Sequence, residues 1–250
     1  MPVPSNCLSV SVLLPTYNEH DNLPIITYLI VKELDKVKGD CIDDYEIIII
    51  DDNSPDGTGK VADRLQAIYP PGTIRVVKRA GKLGLGSAYI HGAGQARFDH
   101  IVILDADLSH HPRAIPAMVR KMLADPQLDI CYGSRYVPGG GIHGWTLVRR
   151  LTSRGANFLA DFLLDPQVSD LTSSFRIYKK AAFLKLIQAM VTRGYTFQME
   201  IMVRAKQLGF KVGQDPVPIE FVDRQFGESK LGSGEIIGYL KGLWTLFTTC

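Results

Sequence analysis

The chain has 250 residues, of which 46% are hydrophobic, which is enough apolar sequence for one large globular domain. Its net charge of +2, without a long basic block, argues against a nucleic-acid-binding protein. Scattered cysteines without a C-x-x-C pair favour free thiols in a reducing compartment over disulfides or structural zinc (Cys7, Cys41, Cys131 and Cys250). We expect no signal peptide, and no run approaches the roughly 20 apolar residues that a membrane span needs.

The first half of the sequence alternates short apolar strands with helices. The predicted strands are Leu8–Leu14, Tyr45–Ile50, Thr73–Val77, Ile101–Leu104 and Asp129–Gly133. The predicted helices between them are Leu23–Lys38, Thr58–Tyr69, Ser87–Arg97 and Arg113–Ala124. This spacing is typical of βαβ units, so we expect an α/β fold with a mostly parallel central sheet and helices on both faces.

After Arg135 the alternation stops. The expected irregular segments are a mobile loop at Pro138–Gly144 and a polar, glycine-rich loop at Asp223–Gly234. The expected regular elements are a strand at Lys211–Val217 and helices at Trp145–Leu164, Lys179–Met190, Phe197–Leu208 and from Glu235 onward. The pattern therefore predicts one domain over residues 1–234, followed by a C-terminal helix at 235–250.

The stretch Ile101–Pro112 (IVILDADLSHHP) predicts a binding site. Its apolar run ends at once in Asp105 and Asp107, and ligands of open α/β sheets lie outside the carboxyl ends of strands. Two carboxylates so close together repel each other in a low dielectric, and a divalent cation would offset that cost. Mg²⁺ and Mn²⁺ favour oxygen ligands, so the pair predicts a metal–diphosphate site. The alternative is an acidic helix N-cap before Pro112.

Two further predicted strands end in polar residues at the same edge of the sheet. Pro15–Glu19 (PTYNE) offers Tyr17 to stack on a nucleotide base and Glu19 to accept hydrogen bonds from it. Asp51 or Asp52 could accept a hydrogen bond from a base N–H or a ribose hydroxyl. Ordinary turns and helix capping are the alternatives. Three strands that deliver carboxylates to one edge predict a nucleotide site more strongly than any single motif does.

The glycine-rich stretch Gly81–Ser87 does not match a dinucleotide-binding fingerprint. Tyr89 stands where the third glycine should be, and the stretch does not follow the first strand. We interpret it as a turn that leads into a helix, with Lys82 near a phosphate. An NAD-dependent oxidoreductase is therefore a weak alternative. A non-catalytic nucleotide-binding scaffold is another, and the intact carboxylates at 105 and 107 argue against it.

Basic residues of the second half are candidates for binding phosphate groups. Arg135 ends the fifth predicted strand and could clamp a phosphate in bidentate fashion. Arg149 and Ser153 are four residues apart, so they share a helix face that could hold a second phosphate. The loop that contains Arg224 and Lys230 could close over an anionic substrate. A solvated basic face and a flexible surface loop are the alternatives.

Four other titratable residues are weaker candidates for a functional role. His110 and His111 have the chemistry of metal ligands but lack a third partner, so a cap or core role is the better interpretation. Asp170 and Glu200 are candidate bases for which a structural role is favoured.

Several motifs together resemble the dolichol-phosphate mannosyltransferases, an inverting group of glycosyltransferase family 2 with the GT-A fold. They are PTYNE (15–19), IDDNSPDGT (50–58), GLGSAYIHG (84–92), DADLSHHP (105–112), GSRYVPGGG (133–141), TSSFRIYKK (172–180) and DRQFGESKLG (223–232). The likeness covers nearly the whole chain. GSRYVPGGG and FGESKLG are the motifs most specific to polyprenyl-phosphate transferases. The resemblance implies a nucleotide-sugar half at 1–135 and an acceptor half at 136–234.

The resemblance implies GDP-mannose and dolichyl phosphate as substrates, and dolichyl β-D-mannosyl phosphate for protein glycosylation and GPI anchor synthesis as the product. The implied metal site would hold Mg²⁺ or Mn²⁺ on Asp105, Asp107 and Ser109. The implied donor site adjoins it and comprises Pro15, Tyr17, Glu19, Ile50, Asp52, Ala106 and Asp107. Ser109 replaces a Gln found in some members, so water would complete the coordination. Arg224 and Lys230 match a mobile loop that closes on the donor.

The implied chemistry needs no catalytic base. Arg135 matches the sugar-phosphate junction, and Arg149 and Ser153 match positions that bind the acceptor phosphate. A phosphate monoester has a second pKa of about 6, so the acceptor is already largely a dianion near pH 7. Asp105, Asp107 and Arg135 are the expected catalytic residues, which would act by positioning and by charge compensation.

The resemblance also implies a peripheral enzyme on the cytoplasmic face of the endoplasmic reticulum membrane. Small membrane-anchoring subunits of a dolichol-phosphate mannose synthase complex would hold it there. The helix Trp145–Leu164 and the tail, with Leu240, Leu243, Trp244 and Phe247, could contact the bilayer or a partner. Packing on the core is the alternative. The nearest rival function is a dolichyl-phosphate glucosyltransferase that uses UDP-glucose, because nothing in these residues separates the two sugars.

Overall fold

The computed structural model describes residues 7–145, 168–191 and 196–224, together with 149, 153, 155, 157, 160, 164, 226, 243 and 244. Its strands are β1 (Leu8–Thr16), β2 (Ile42–Asp51), β3 (Ile74–Lys78), β4 (His100–Ile103), β5 (Ile130–Ser134), β6 (Gly141–His143), β7 (Arg176–Lys179), β8 (Val217–Pro218) and β9 (Glu220–Val222). Its helices are α1 (Asn22–Asp35), α2 (Thr58–Ile68), α3 (Leu85–Gln95), α4 (Ile115–Ala124), α5 (Lys180–Gln188) and α6 (Phe197–Gln207). A 3₁₀ turn covers Pro112–Ala114.

The central sheet has seven strands in the order β3-β2-β1-β4-β7-β5-β8, and a second sheet pairs β6 with β9. All neighbouring strands of the large sheet are parallel except around β7, which runs antiparallel to both β4 and β5. This arrangement confirms the predicted α/β fold with a mostly parallel sheet. It also aligns the carboxyl ends of β1, β2, β4 and β5 along one edge.

Burial on both faces of the sheet explains the apolar strands. In β2, Ile47 and Ile49 pack in the core cluster that includes α1, α2 and α4. Ile48 and Ile50 pack in the opposite cluster, which includes α3, α5 and α6. A parallel strand covered on both faces has no solvent-facing positions, so its sequence reads as an unbroken apolar run.

The structure differs from the prediction at two segments in the second half of the chain. The predicted strand Lys211–Val217 is reduced to an isolated bridge at Val212 and the two-residue β8, because Pro216 lacks the N–H that a continuous strand would need. The predicted mobile loop at Pro138–Gly144 contains β6, which pairs with β9. That pairing joins distant parts of the chain, so local sequence does not show it.

Several predictions fall partly outside the described residues. Residues 149, 153, 155, 157, 160 and 164 are helical, as predicted for Trp145–Leu164, whereas Trp145 itself is not. Of the loop Asp223–Gly234 only Asp223, Arg224 and Phe226 are described, and of the C-terminal tail only the helical residues Leu243 and Trp244. Lys230, Leu240 and Phe247 therefore lie outside the described part. Among the helices described here, none combines the length and the hydrophobicity that crossing a membrane requires.

A buried carboxylate ties the amino-terminal side of the sheet together. Glu46 on β2 is fully buried and accepts hydrogen bonds from Ser11 Oγ at 2.7 Å, from the Arg97 backbone N–H at 2.6 Å and from Arg97 Nε at 3.0 Å. Arg75 Nη1 lies 3.3 Å from the same carboxylate. A single side chain thus joins β1, β2 and β3 to the segment that precedes β4.

We expect Glu46→Ala to lower the free energy of unfolding by about 3 kcal/mol, because it leaves a buried hydroxyl and a backbone N–H without an acceptor and breaks the ion pairs. Urea denaturation measures the change. Asp63→Ala is the control, since its ion pair with Lys78 is half exposed and should cost less than about 1 kcal/mol. Equal losses in the two variants would contradict the structural role of Glu46.

Candidate active site

The turns that follow β1, β2 and β4 share an unusual backbone conformation. Asn18, Asn53 and Leu108 have φ values of 57°, 56° and 63°. Asparagine adopts this left-handed region readily, but leucine does so rarely, and such strain is concentrated at functional sites. At Leu108 the turn brings the backbone N–H of Ser109 to within 3.0 Å of Asp107 Oδ1, to which it donates a hydrogen bond. The strained turn therefore orients one of the predicted metal ligands.

Asp105 is a carboxylate whose hydrogen-bond partners in the described structure are neutral. Tyr89 Oη donates to its Oδ1 at 3.3 Å, and Ser174 Oγ donates to its Oδ2 at 2.7 Å. Burial, together with the negative charge of Asp107, raises the pKa of Asp105 to about 6. The ionised carboxylate is therefore costly at neutral pH without a cation.

Asp107 is balanced by a cationic side chain instead. Arg224 Nη2 donates to its Oδ2 at 2.6 Å, while Arg224 Nη1 lies 3.6 Å from Glu19 Oε1. Burial alone would raise the pKa of Asp107, but hydrogen bonds from Ser109 and the charge of Arg224 outweigh it and lower the pKa below its ordinary value. The structure thus brings together Glu19, Asp107 and Arg224, which the sequence analysis proposed separately.

The two carboxylates fit an oxygen-preferring divalent cation. Asp105 and Asp107 leave β4 together, and the guanidinium of Arg224 already provides positive charge beside one of them. Within the described residues, no group of three or more His, Cys, Asp or Glu side chains is arranged to hold a metal. The Ser109 hydroxyl, the predicted third ligand, lies 3.3 Å from His110 Nδ1. Diphosphate or water oxygens would therefore have to supply the remaining ligands.

Both histidines have the structural roles expected of them. His110 is buried beside Phe175 and Phe221, at ring-centroid distances of 5.8 Å and 5.3 Å. Burial, assisted by the charge of Arg135, lowers the pKa of His110 to about 4, so the ring is neutral at pH 7. His111 Nδ1 accepts a hydrogen bond from the N–H of Arg113 and caps the 3₁₀ turn.

The predicted base-binding residues lie at the ends of β1 and β2. Pro15 and Ile50 are paired in the ladder between these strands, and Ile50 is buried. Tyr17 follows β1, with Lys82 Nζ 4.7 Å from the centre of its ring. Lys82 thus lies beside the residue expected to stack on the base.

A buried ion pair closes this end of the site. Arg79 Nη1 donates to Asp52 Oδ1 at 2.6 Å, and Arg79 Nη2 donates to Ser87 Oγ. Burial raises the pKa of Asp52, although the charge of Arg79 opposes the shift. Asp51 instead accepts from Ser54 Oγ at 2.6 Å within the turn that follows β2, so it stabilises this turn and does not cap α2.

Arg135 does not present the bidentate face that the sequence predicted. Its Nε and Nη2 donate at 2.7 Å to the two carboxylate oxygens of the fully buried Asp170. Burial would raise the pKa of Asp170, but the guanidinium of Arg135 outweighs it and lowers the pKa. Asp170 therefore has a structural role, and so does Glu200, which accepts from the N–H of Val191 at 2.8 Å. The Nη1 group is the part of Arg135 that makes no hydrogen bond within the described residues.

Arg149 lies beside Arg135, with Trp145 as their shared neighbour. The Arg149 guanidinium carbon is 4.3 Å from the centre of the Trp145 ring, and that of Arg135 is 5.5 Å from it. Arg149 Nη1 also donates to Asp223 Oδ1 at 2.8 Å. Ser153 Oγ lies 2.8 Å from the hydroxyl of Tyr136, which follows Arg135 in the chain. Arg135 and Arg149 therefore meet at Trp145, and Ser153 is connected to them through Tyr136, whose ring centre lies 5.4 Å from the guanidinium carbon of Arg135.

Comparison with known proteins assigns the family. Residues 11–187 match the model of glycosyl transferase family 2. The chain belongs to that family. It is 38% identical over 229 residues to polyprenol monophosphomannose synthase from Mycolicibacterium smegmatis, covering 90% of this chain and 82% of the relative. It is 34% identical over 235 residues to undecaprenyl-phosphate mannosyltransferase from Micrococcus luteus, covering 92% and 90%.

A solved structure shows the same fold. Glucosyl-3-phosphoglycerate synthase from Mycobacterium tuberculosis, in complex with Mn²⁺, UDP-glucose and phosphoglyceric acid, matches with a TM-score of 0.65 and 18% identity, covering 96% of this chain and 80% of that chain. At this level of identity the likeness extends to the fold alone, which confirms the GT-A expectation for the family.

Sequence reasoning missed four side chains that shape this site. Arg79 follows β3 at the same sheet edge as the other candidates, so its position in the strand pattern was a usable signal. Tyr89, Trp145 and Ser174 come from a helix and from the segments around β6 and β7, and only the fold brings them to the site. Their sequence context is ordinary for core residues.

We expect Asp105→Asn to stabilise the metal-free protein at pH 8 by an amount on the order of 1–3 kcal/mol. The native pKa of about 6 exceeds the ordinary value of 3.8, so wild-type stability falls as the pH rises from 4 to 6 and stays low above that range. Asparagine carries no charge and removes this loss, so the gain should vanish near pH 4. Urea denaturation in EDTA measures it, with Asp63→Asn as an exposed control. A gain in stability that does not depend on pH would contradict the raised pKa of Asp105.

Proposed function

We propose that this chain transfers mannose from GDP-mannose to dolichyl phosphate with inversion, and so forms dolichyl β-D-mannosyl phosphate for protein glycosylation and GPI anchor synthesis. The observation that carries the proposal is the pair Asp105 and Asp107 beyond β4, faced by Arg224 from the far end of the chain. The likeness to two polyprenyl-phosphate mannosyltransferases, over 90% and 92% of the chain, supports mannose as the sugar and a polyprenyl phosphate as the acceptor.

In this proposal the nucleotide-sugar half, residues 1–135, binds the donor. Tyr17 stacks on the base, and the buried Asp52–Arg79 pair offers an acceptor and donors to polar base edges or ribose hydroxyls. Asp105 and Asp107 would hold a divalent cation, Mg²⁺ or Mn²⁺, which when bound would neutralise charge on the leaving diphosphate. The side chains therefore need only to orient the donor and keep its anomeric carbon facing the acceptor half.

The acceptor half, residues 136–234, orients the phosphate that attacks. Arg149, Ser153 and the Nη1 group of Arg135 form the group that would bind it, and Trp145 lies against both guanidinium groups. Because the acceptor is already largely a dianion near pH 7, these residues compensate its charge and no base is required. One in-line displacement converts an α-linked donor sugar into a β-linked product.

The acceptor lipid requires contact with a membrane. Leu243 is buried in the core whereas Trp244, the next residue of the same helix, is 66% exposed. A helix that packs one side chain inward and exposes a tryptophan suits a membrane interface or a small partner. We therefore propose that residues 235–250 help dock the protein on the cytoplasmic face of the endoplasmic reticulum membrane, together with small anchoring subunits.

The first test is calorimetric titration of the protein with GDP and with UDP, in Mn²⁺ and in EDTA. We expect GDP to bind at least about tenfold more tightly with Mn²⁺ than without it, because a cation held by Asp105 and Asp107 would compensate charge on the diphosphate. A preference for UDP would indicate the rival function, a dolichyl-phosphate glucosyltransferase. Binding of neither nucleotide would contradict the proposal.

Arg149→Ala should raise the KM for the polyprenyl phosphate about tenfold or more, because a charge-assisted hydrogen bond to phosphate contributes roughly 1.5–3 kcal/mol. The affinity for GDP with Mn²⁺ should not change. Steady-state assays with varied lipid measure the effect. Arg120→Ala is the control, since Arg120 on α4 forms an exposed ion pair with Asp40, in the turn between α1 and β2. An unchanged KM and kcat in Arg149→Ala would show that the acceptor assignment is wrong.

A further inference from the structure

The segment TSSFRIYKK (172–180) has a role that the sequence motifs alone do not suggest. It leads into β7, the strand that runs antiparallel between β4 and β5. The register pairs Arg176 with Ile103 and Ile177 with Val102. Two residues further toward the catalytic edge, Ser174 lies beside Asp105, and its Oγ donates to Asp105 Oδ2 at 2.7 Å. The reversed direction of β7 is what places the start of this strand at the carboxyl end of β4.

A second hydroxyl that contacts Asp105 comes from Tyr89, which precedes Asp105 in the chain, whereas Ser174 follows it. Tyr89 on α3 is fully buried, and its Oη donates to Asp105 Oδ1 at 3.3 Å. Its ring packs against Phe197, with ring centroids 5.6 Å apart. A Cβ added at Gly86 would come within 2.6 Å of the Phe197 ring, so α3 and α6 pack closely at this point. The position of the Tyr89 hydroxyl is therefore fixed by the core.

The hydrogen bonds of Asp105 and Asp107 differ in kind. Asp107 accepts from a backbone N–H and from the cationic Arg224, which already compensates part of its charge. The two oxygens of Asp105 are each held by one neutral hydroxyl, which fixes the plane of the carboxylate and adds no positive charge to it. A ligand oriented by hydrogen bonds from outside the coordination sphere binds a metal more tightly than a freely rotating one does.

We infer that Ser174 and Tyr89 are positioning residues, which hold the Asp105 carboxylate in the orientation that binds the divalent cation. This inference rests on the proposed function, because it assumes that Asp105 is a metal ligand. The alternative is that the two hydroxyls only satisfy a buried carboxylate, in which case they would affect stability and leave cation affinity unchanged.

The experiment is calorimetric titration of Mn²⁺ into the full chain with GDP present, for wild type, Ser174→Ala and Tyr89→Phe. We expect Ser174→Ala to weaken Mn²⁺ binding about 10–100-fold, and Tyr89→Phe, which loses the longer hydrogen bond, to weaken it less. GDP binding in EDTA should stay at the wild-type value in both variants. Ser173→Ala is the matched control, because Ser173 is also buried and its Oγ accepts from the N–H of Phe175 instead.

The inference is overturned if Ser174→Ala and Tyr89→Phe both bind Mn²⁺ with wild-type affinity, or if Ser173→Ala weakens binding as much as Ser174→Ala. Should Ser174→Ala fail to fold by circular dichroism, Tyr89→Phe decides alone, since it keeps the buried ring. A wild-type protein that binds no Mn²⁺ overturns the inference as well. Mannosyl transfer to a polyprenyl phosphate by that same preparation in EDTA would then leave the transfer function in place without the cation.

Discussion

Repulsion between two neighbouring carboxylates, Asp105 and Asp107, is the constraint on which the arrangement of the site depends. The structure compensates the two negative charges in two different ways. Asp107 is paired with a guanidinium and keeps a low pKa, whereas Asp105 is held by hydroxyls and has a pKa near 6. One carboxylate is therefore compensated from within the chain, and the other retains a strong preference for added positive charge. The position of Arg224, far along the sequence, follows from the same requirement.

Much of the fold could be predicted from local sequence, because burial on both faces of a parallel sheet leaves a clear trace in each strand. The run YEIIII in β2 is an example, since alternate isoleucines enter opposite core clusters. The antiparallel β7 was not predicted, because a four-residue strand that contains Arg176 and Lys179 and runs directly into a helix is too short to show a period. The pairing of β6 with β9 was also missed, since it depends on contacts between distant segments.

The candidate site was predictable to the extent that its residues end strands. Tyr17, Asp52 and Asp105 follow β1, β2 and β4, and topology alone brings them to one edge. Hydrogen-bond partners were not predictable in this way. The pairing of Arg135 with Asp170 uses the donors that we had expected a phosphate to take, and nothing in the spacing of the two residues indicates it. Contacts between side chains depend on distances that a sequence pattern does not contain.

The antiparallel placement of β7 has a consequence for how such a protein can change over evolution. The chain leaves the edge that carries the candidate site at Ser134, the end of β5, and re-enters the sheet from that same edge at Arg176, the start of β7. The residues between these two points form a single insertion, and the strands at both of its ends belong to the central sheet. Between β6 and Asp170 its sequence can vary without altering the order of the seven strands, whereas β6, Asp170 and Ser174 make contacts that have to be kept. A protein with this sheet could in this way change its acceptor specificity through changes within one continuous segment of the chain.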